Sequence, residues 1–366
     1  MVKCRFIVIM LTKHYIILLL SLVLGCASCQ WHEAEAVVAM ADSIDQTQHV
    51  IYDDTAALGL VIRQLDNPMG RVFKHSTLGK AYYYMGRNLE DNHQQIAKAA
   101  ECYIEADRLQ IDDPIYRGRV NSCMGYICIQ YNNDSLALIF DERASASFKE
   151  GTDDWYYAQS LLNISENYIS LHQFLDADSI LQIAKSYQLD NAYQARWYEM
   201  KGLYFYKQQQ YDSALVYFMD VCNWRKEQEE FMYNYLKIMQ IYLEIGNLSQ
   251  ATSYAQFIIN NSDDAHYLVN AYYCLMKDAE EQNNTELLSI YAHTRADVQK
   301  SLRSIASEYA NAVSSISEYV YNPYPFRWVW NTISIIITLC ILLILCVLIY
   351  KKHTSKTLQH ALKKNR

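Results

Sequence analysis

The chain has 366 residues, of which 51% are hydrophobic and 20% charged, with only 10 Gly and 4 Pro. So few turn formers, beside abundant Ala, Leu, Tyr and Gln, favour helices over sheets. Nine of the 32 basic residues lie in residues 1–25 and 351–366, which hold no Asp or Glu, so the middle carries 23 basic against 40 acidic residues, a net charge of −17. Such an acidic body excludes nucleic acid as a partner, because phosphate contacts need clustered Lys and Arg.

Residues 1–25 read as a leader. Tyr15 to Leu24 is an apolar run of ten residues, preceded by Lys13 and His14 and followed by Gly25 and Cys26. It is too short to span a membrane and suits a secretory signal; a start at Met10 makes it compact. Val23-Leu24-Gly25-Cys26 resembles the bacterial lipobox, which implies a lipid on Cys26. An ordinary cleaved signal and an uncleaved anchor are the alternatives. Cys26 and Cys29 have C-x-x-C spacing, but no βαβ unit follows to make them a redox pair. Cys102, Cys123, Cys128, Cys222 and Cys274 have no metal-ligand spacing and read as core thiols.

Residues 26–75 form an atypical entry pair, with one helix from Ala34 to Ile44, another from Asp53 to Leu65, and a break at Asp66-Asn67-Pro68. Over residues 76–295 one pattern recurs. An alanine is followed by an apolar residue about four positions on and a small or apolar one at the seventh: Ala99, Tyr103, Ala106; Ala137, Phe140, Ala144; Ala177, Leu181, Ala184; Ala214, Phe218, Val221; Ala251, Ala255, Ile258. Successive starts lie 38, 40, 37 and 37 residues apart. About twelve positions before each start stands Gly86, Gly125, Ser165, Gly202 or Met239 on a preceding amphipathic helix. Small residues at these points let two helices approach, and aromatics fill the space to the next pair. A single pair cannot bury its apolar face alone, so the pairs stack.

These positions resemble the tetratricopeptide repeat in five copies and a degenerate sixth around Leu275 to Tyr291, although the usual Trp is missing and the repeats exceed 34 residues. The resemblance implies an all-α helical-hairpin solenoid whose first helices line a concave groove. Carried over, that groove is lined by Tyr83, Arg87, Arg119, Tyr126, Gln159, Glu166, Arg196, Tyr206, Lys207 and Gln240. The carboxylate clamp of some family members needs Lys and Asn where this chain has Tyr83 and Arg87, so that activity is not implied.

Beyond the repeats, Val298, Leu302, Ile305, Tyr309, Ala312, Ile316 and Tyr319 form a heptad seam within residues 296–321. Two arrangements are open: a homodimeric coiled-coil stalk through residues 296–320, or a long capping helix packed on the last repeat of its own chain. Asn322-Pro323-Tyr324-Pro325 then breaks the helix. Trp328 to Tyr350 is 23 residues without a charge. As a helix it is ~34 Å long, enough to cross a ~30 Å hydrocarbon core. Trp328, Trp330 and Tyr350 sit at its edges, and the basic tail 351–366 marks the cytoplasmic side.

No H-E-x-x-H, G-x-S-x-G, Walker loop or G-x-G-x-x-G occurs, so neither a catalytic nor a metal site is expected, nor a cofactor. Asp153-Asp154 and Asp263-Asp264 read as solvated loop charge rather than a glycosidase pair. The assembly of lipobox, repeat body, linking helix and late span resembles repeat-containing sensor proteins of Gram-negative bacteria. It implies a body in the periplasm, tethered to the inner membrane, that binds a protein or peptide and relays a signal. Those relatives continue into an output domain where this sequence ends at Arg366, so output through another membrane protein is expected. A static scaffold in envelope assembly or secretion is the rival reading.

Overall fold

A computed structural model describes residues 31–45, 52–91, 95–187, 189–224 and 232–321. The leader with Cys26, the proline break, the span 328–350 and the tail 351–366 lie outside these residues. Among the described residues no helix is long and apolar enough to cross a membrane. The chain divides into two compact units, Met1–Ser317 and Glu318–Arg366; of the second, residues 318–321 are described.

The described residues fold into helices joined by short turns. α1 covers residues 31–45, followed by α2 (Thr55–Leu65), α3 (Pro68–Phe73), α4 (His75–Asp91), α5 (Ile96–Arg108), α6 (Pro114–Gln130) and α7 (Asp134–Glu150). The chain continues as α8 (Asp154–Ser170), α9 (Phe174–Lys185), α10 (Asn191–Lys207), α11 (Tyr211–Trp224), α12 (Met232–Glu244), α13 (Leu248–Asn261), α14 (Ala265–Glu281) and α15 (Thr285–Tyr321). From α4 onward successive helices pair as hairpins, and α8 also packs on α10 and α12 on α14, so first helices stack on first helices. This is a helical-hairpin solenoid. The break at Asp66-Asn67-Pro68 starts an additional helix: Asn67 accepts from the Met69 and Gly70 amides at 3.1 and 3.0 Å, and Pro68 opens α3.

Each hairpin is closed by the same short turn. After α6, the Asn132 amide donates to the Ile129 carbonyl and the Asn133 amide to that of Cys128, which satisfies two carbonyls the helix end would leave open. Asn133 then caps α7 by accepting from the Leu136 amide at 3.2 Å. The turn needs one residue with positive φ, and these are Asn132, His172, Gln209, Gly246 and Asn283. Their spacings of 40, 37, 37 and 37 residues repeat those of the alanine motif. Only one of the five is glycine. Asp153 and Asp264 serve as N-caps of α8 and α14.

The repeat motif is the core. Ala99, Ala137, Ala177, Ala214 and Ala251 are fully enclosed, as are Tyr103, Phe140, Phe218 and Ala255. Each large apolar side chain so buried contributes about 1.5–3 kcal/mol. Why glycine stands on the partner helix is visible at Gly202, where an added Cβ would lie 2.8 Å from the Phe218 ring. At Gly86 it would lie 2.5 Å from Tyr103. All five cysteines of the body are free and at least half-buried.

Asp141 on α7 is fully buried, with its carboxylate accepting from the Asn167 amide at 2.7 Å. Burial pushes this carboxyl up to about 7, and the charge of Glu166 adds to it, against the pull of Asn167, Asn163 and Arg196. An unfolded Asp titrates near ~3.9, so the folded state binds the proton more tightly, and stability falls as pH rises between those values. Asp141→Asn therefore gains stability relative to the wild type from about pH 5 to about pH 8, measured as the difference in urea midpoints. At the turns, Gln209→Gly raises stability by up to about 1 kcal/mol by removing left-handed strain, measured by thermal unfolding.

Candidate functional site

The first helices α4, α6, α8, α10, α12 and α14 share one face, and two segments of the chain itself already use part of it. The first is α1. Its Asp42 accepts from Lys80 Nζ at 2.7 Å, the Tyr84 hydroxyl at 2.9 Å and the Tyr116 hydroxyl at 2.8 Å. Asp45 takes both arms of the Arg119 guanidinium, and Glu35 pairs with Lys74. Ala34, Val38 and Ala41 on α1 are buried beneath these contacts. A bidentate Arg–carboxylate pair withdrawn from water is among the stronger polar contacts, because both partners keep their full complement of bonds.

This accounts for three of the residues read from the sequence as groove lining. Tyr83 is enclosed at 1% exposure, under the Arg119 guanidinium 5.2 Å from its ring. Arg119 is held by Asp45 and lies also over Tyr116 and Tyr156, at 5.4 and 5.6 Å. Arg87 pairs with Asp91 at 2.9 Å and leans on the Tyr83 hydroxyl at 3.4 Å. These side chains lie on the shared face, but they fasten α1 and the first hairpins together.

The second segment is α15. It begins as the second helix of the last hairpin, with Arg295 donating to the Val269 carbonyl at 3.2 Å and Tyr291 facing Tyr272. Residues 303–307 are exposed. Beyond them Ala312, Val313 and Ile316 are buried again, and Glu308 accepts from the Ala97 amide at 3.3 Å at the start of α5. The Tyr309 hydroxyl is pushed up by burial and by Tyr126, Glu90 and Asp91. The heptad seam is thus divided. Its N-terminal part lies at the last hairpin, and its later residues pack at the first ones, since a 37-residue helix is long enough to reach both. A capping helix confined to the last repeat does not describe it.

The remaining groove residues stay together and open. Arg196 pairs with Glu166 and lies 3.9 Å from Glu199, which in turn accepts from Asn234 at 2.7 Å. The Glu166 charge raises the Arg196 guanidinium despite its burial. Gln159 and Tyr206 are half-buried, Lys207 is exposed, and Tyr126 is half-exposed. Tyr126 on α6 and Tyr267 on α14 lie within each other's field, so the face curves back on itself. Gln240 accepts from Lys237 Nζ at 3.3 Å.

Lys237 was not among the residues read from the sequence. Its ammonium lies 5.4 Å from the Tyr206 ring and 5.2 Å from the Tyr233 ring, and burial with repulsion from Lys207 pulls it down to about 8. The signal was there: Lys237 stands two residues before Met239, the register held by Cys123 before Gly125 and Met200 before Gly202. A charge in an otherwise apolar register marks a departure from packing alone.

The fold has likenesses among solved structures. A tetratricopeptide repeat protein from Parabacteroides merdae superposes with a TM-score of 0.52 at 12% identity, covering 77% of this chain and 99% of that one. The fold is tetratricopeptide-like. A Rap protein complexed with competence and sporulation factor gives a TM-score of 0.49 at 16% identity over 84% and 97% of the two chains. For Pseudomonas aeruginosa pilF the values are 0.41 and 16% over 67% and 99%. No family model and no curated protein matches the chain.

Ile316→Asp places a charge where the chain gives no exposure. The far end of α15 then releases at a cost of about 3 kcal/mol. Hydrogen exchange shows the result as faster loss of protection at the Ala97 amide, with α10 and α12 unchanged.

Proposed function

We propose that the chain is a non-enzymatic protein-interaction module, held at the inner membrane of a Gram-negative bacterium by a lipid on Cys26 and by the segment Trp328–Tyr350. Its repeat body lies in the periplasm and its basic tail in the cytoplasm. The reading of location rests on the charge-free 23-residue stretch and on the Lys and Arg confined to the two ends.

One observation carries the functional part. The face that stacked first helices present is filled by the chain itself over α4 and α6, and is left open from α8 to α12. Tyr126, at the border between the two parts, lies near Tyr309 of α15. An occupant of the open part therefore comes up against the helix that precedes the membrane segment in sequence. Binding energy spent at that border shifts α15 between docked and released arrangements, as any ligand with unequal affinity for two states does. This favours signal relay over a static scaffold, for which α15 needs only to connect.

Alkaline phosphatase joined at residue 150 is active and the same enzyme joined after Arg366 is silent; the reverse pattern overturns the topology. Exchanging Trp328–Tyr350 for an unrelated apolar helix abolishes the downstream response while surface levels hold. An unchanged response assigns the chain to the scaffold class.

A further inference from the structure

The shared face contains its own precedent for what it holds. On α4, Lys80 and Tyr84 stand four residues apart and close together on Asp42, the ammonium at 2.7 Å and the phenol at 2.9 Å. Counted back from Gly86, the small residue of that helix, they occupy registers six and two. Counted back from Met239 on α12, the same two registers are Tyr233 and Lys237. The phenol and the ammonium have exchanged places, and the donor pair is otherwise repeated. An arginine at register six stands on the neighbouring first helix in both cases, Arg119 beside α4 and Arg196 beside α12.

The difference is the acid. α1 supplies Asp42 to the pair on α4, whereas no carboxylate lies within ion-pair distance of Lys237 among the described residues. Its ammonium meets the Gln240 side-chain oxygen and the faces of two tyrosines, with Lys207 as a second cation nearby. Glu166 is taken by Arg196, and Glu199 by Arg196 and Asn234. Asp134 lies in the field of Lys207 rather than beside Lys237. A half-buried cation without a counter-ion is an unfavourable element that an incoming carboxylate neutralises with a charge-assisted bond.

From this complementarity we propose that the open face over α10 and α12 receives an acidic segment of a partner protein, with one carboxylate seated on Lys237 between Tyr206 and Tyr233. The proposal rests on the reading of the chain as an interaction module and names the chemistry of its partner. The partner segment does on α12 what Asp42 of α1 does on α4.

The test uses the full chain in detergent and a labelled synthetic peptide with the sequence of residues 31–45, which carries Asp42 and Asp45, beside a copy with both changed to Asn. The acidic peptide binds, and the Asn copy binds at least tenfold more weakly. Lys237→Met places in this register the side chain it already holds at Met200; it keeps the melting temperature and weakens the acidic peptide at least tenfold. Lys237→Arg retains binding, and carbodiimide joins a peptide carboxylate to Lys237 in the wild type. Equal affinity for the two peptides, undiminished binding by a folded Lys237→Met protein, or no binding up to millimolar peptide overturns the proposal. So does self-association without peptide that Lys237→Met abolishes, which assigns the face to a second copy. None of these outcomes touches the module reading, which falls on the phosphatase and span-exchange results instead.

Discussion

The structure depends on how closely the first and second helices of each hairpin approach. At Gly202 there is no room for a methyl group before the Phe218 ring, and at Gly86 none before Tyr103. That distance sets which residues meet across the pair, and the left-handed turn residue fixes the offset at which they meet. Once both are set, one apolar stripe per hairpin is left to cover, and only the next hairpin can cover it. The solenoid follows from contacts within single repeats, which is why it tolerates one repeat of 40 residues among others of 37.

A stacked set of first helices necessarily creates a face with polar and aromatic side chains on it. In this chain part of that face is closed from within. Asp42 and Asp45 of α1 reach Lys80, Tyr84, Tyr116 and Arg119 on two hairpins, while α15 returns from the last hairpin to the first. The contacts differ in kind. α1 is held by buried charge pairs, which are specific in geometry and costly to break singly. α15 is held at its far end by Ala312, Val313 and Ile316, small and aliphatic side chains that slide and release more readily. The fixed part organises the face; the releasable part lies at its border.

Much of this was legible in the sequence, and the reasons for the exceptions are physical. The period was readable because Gly86, Gly125 and Gly202 answer to contacts a dozen or so residues away, within reach of pattern analysis. The occupation of Tyr83, Arg87 and Arg119 was not readable, because Asp42 and Asp45 lie 38 to 74 residues from the groups they bind. Groove membership follows from register, but vacancy does not. The seam on α15 has the same four-and-three spacing whether its partner is a second chain or a distant part of its own, so periodicity could not choose. Lys237 became conspicuous only when α12 was laid against α4, α6 and α10, which showed a cation where Cys123 and Met200 stand.

The exposed stretch of α15 from Arg303 to Ser307 has a mechanical consequence. Over these residues the helix lies at the surface, and Ser304 and Ser307 are weak helix formers. Its winding there is kept largely by the turns anchored on either side. Such a segment behaves as a strut, transmitting thrust along its axis while both ends are seated. Pulled or bent beyond what the backbone bonds hold, it gives way at the serines first, so these residues set the largest load the two ends of the solenoid can exchange.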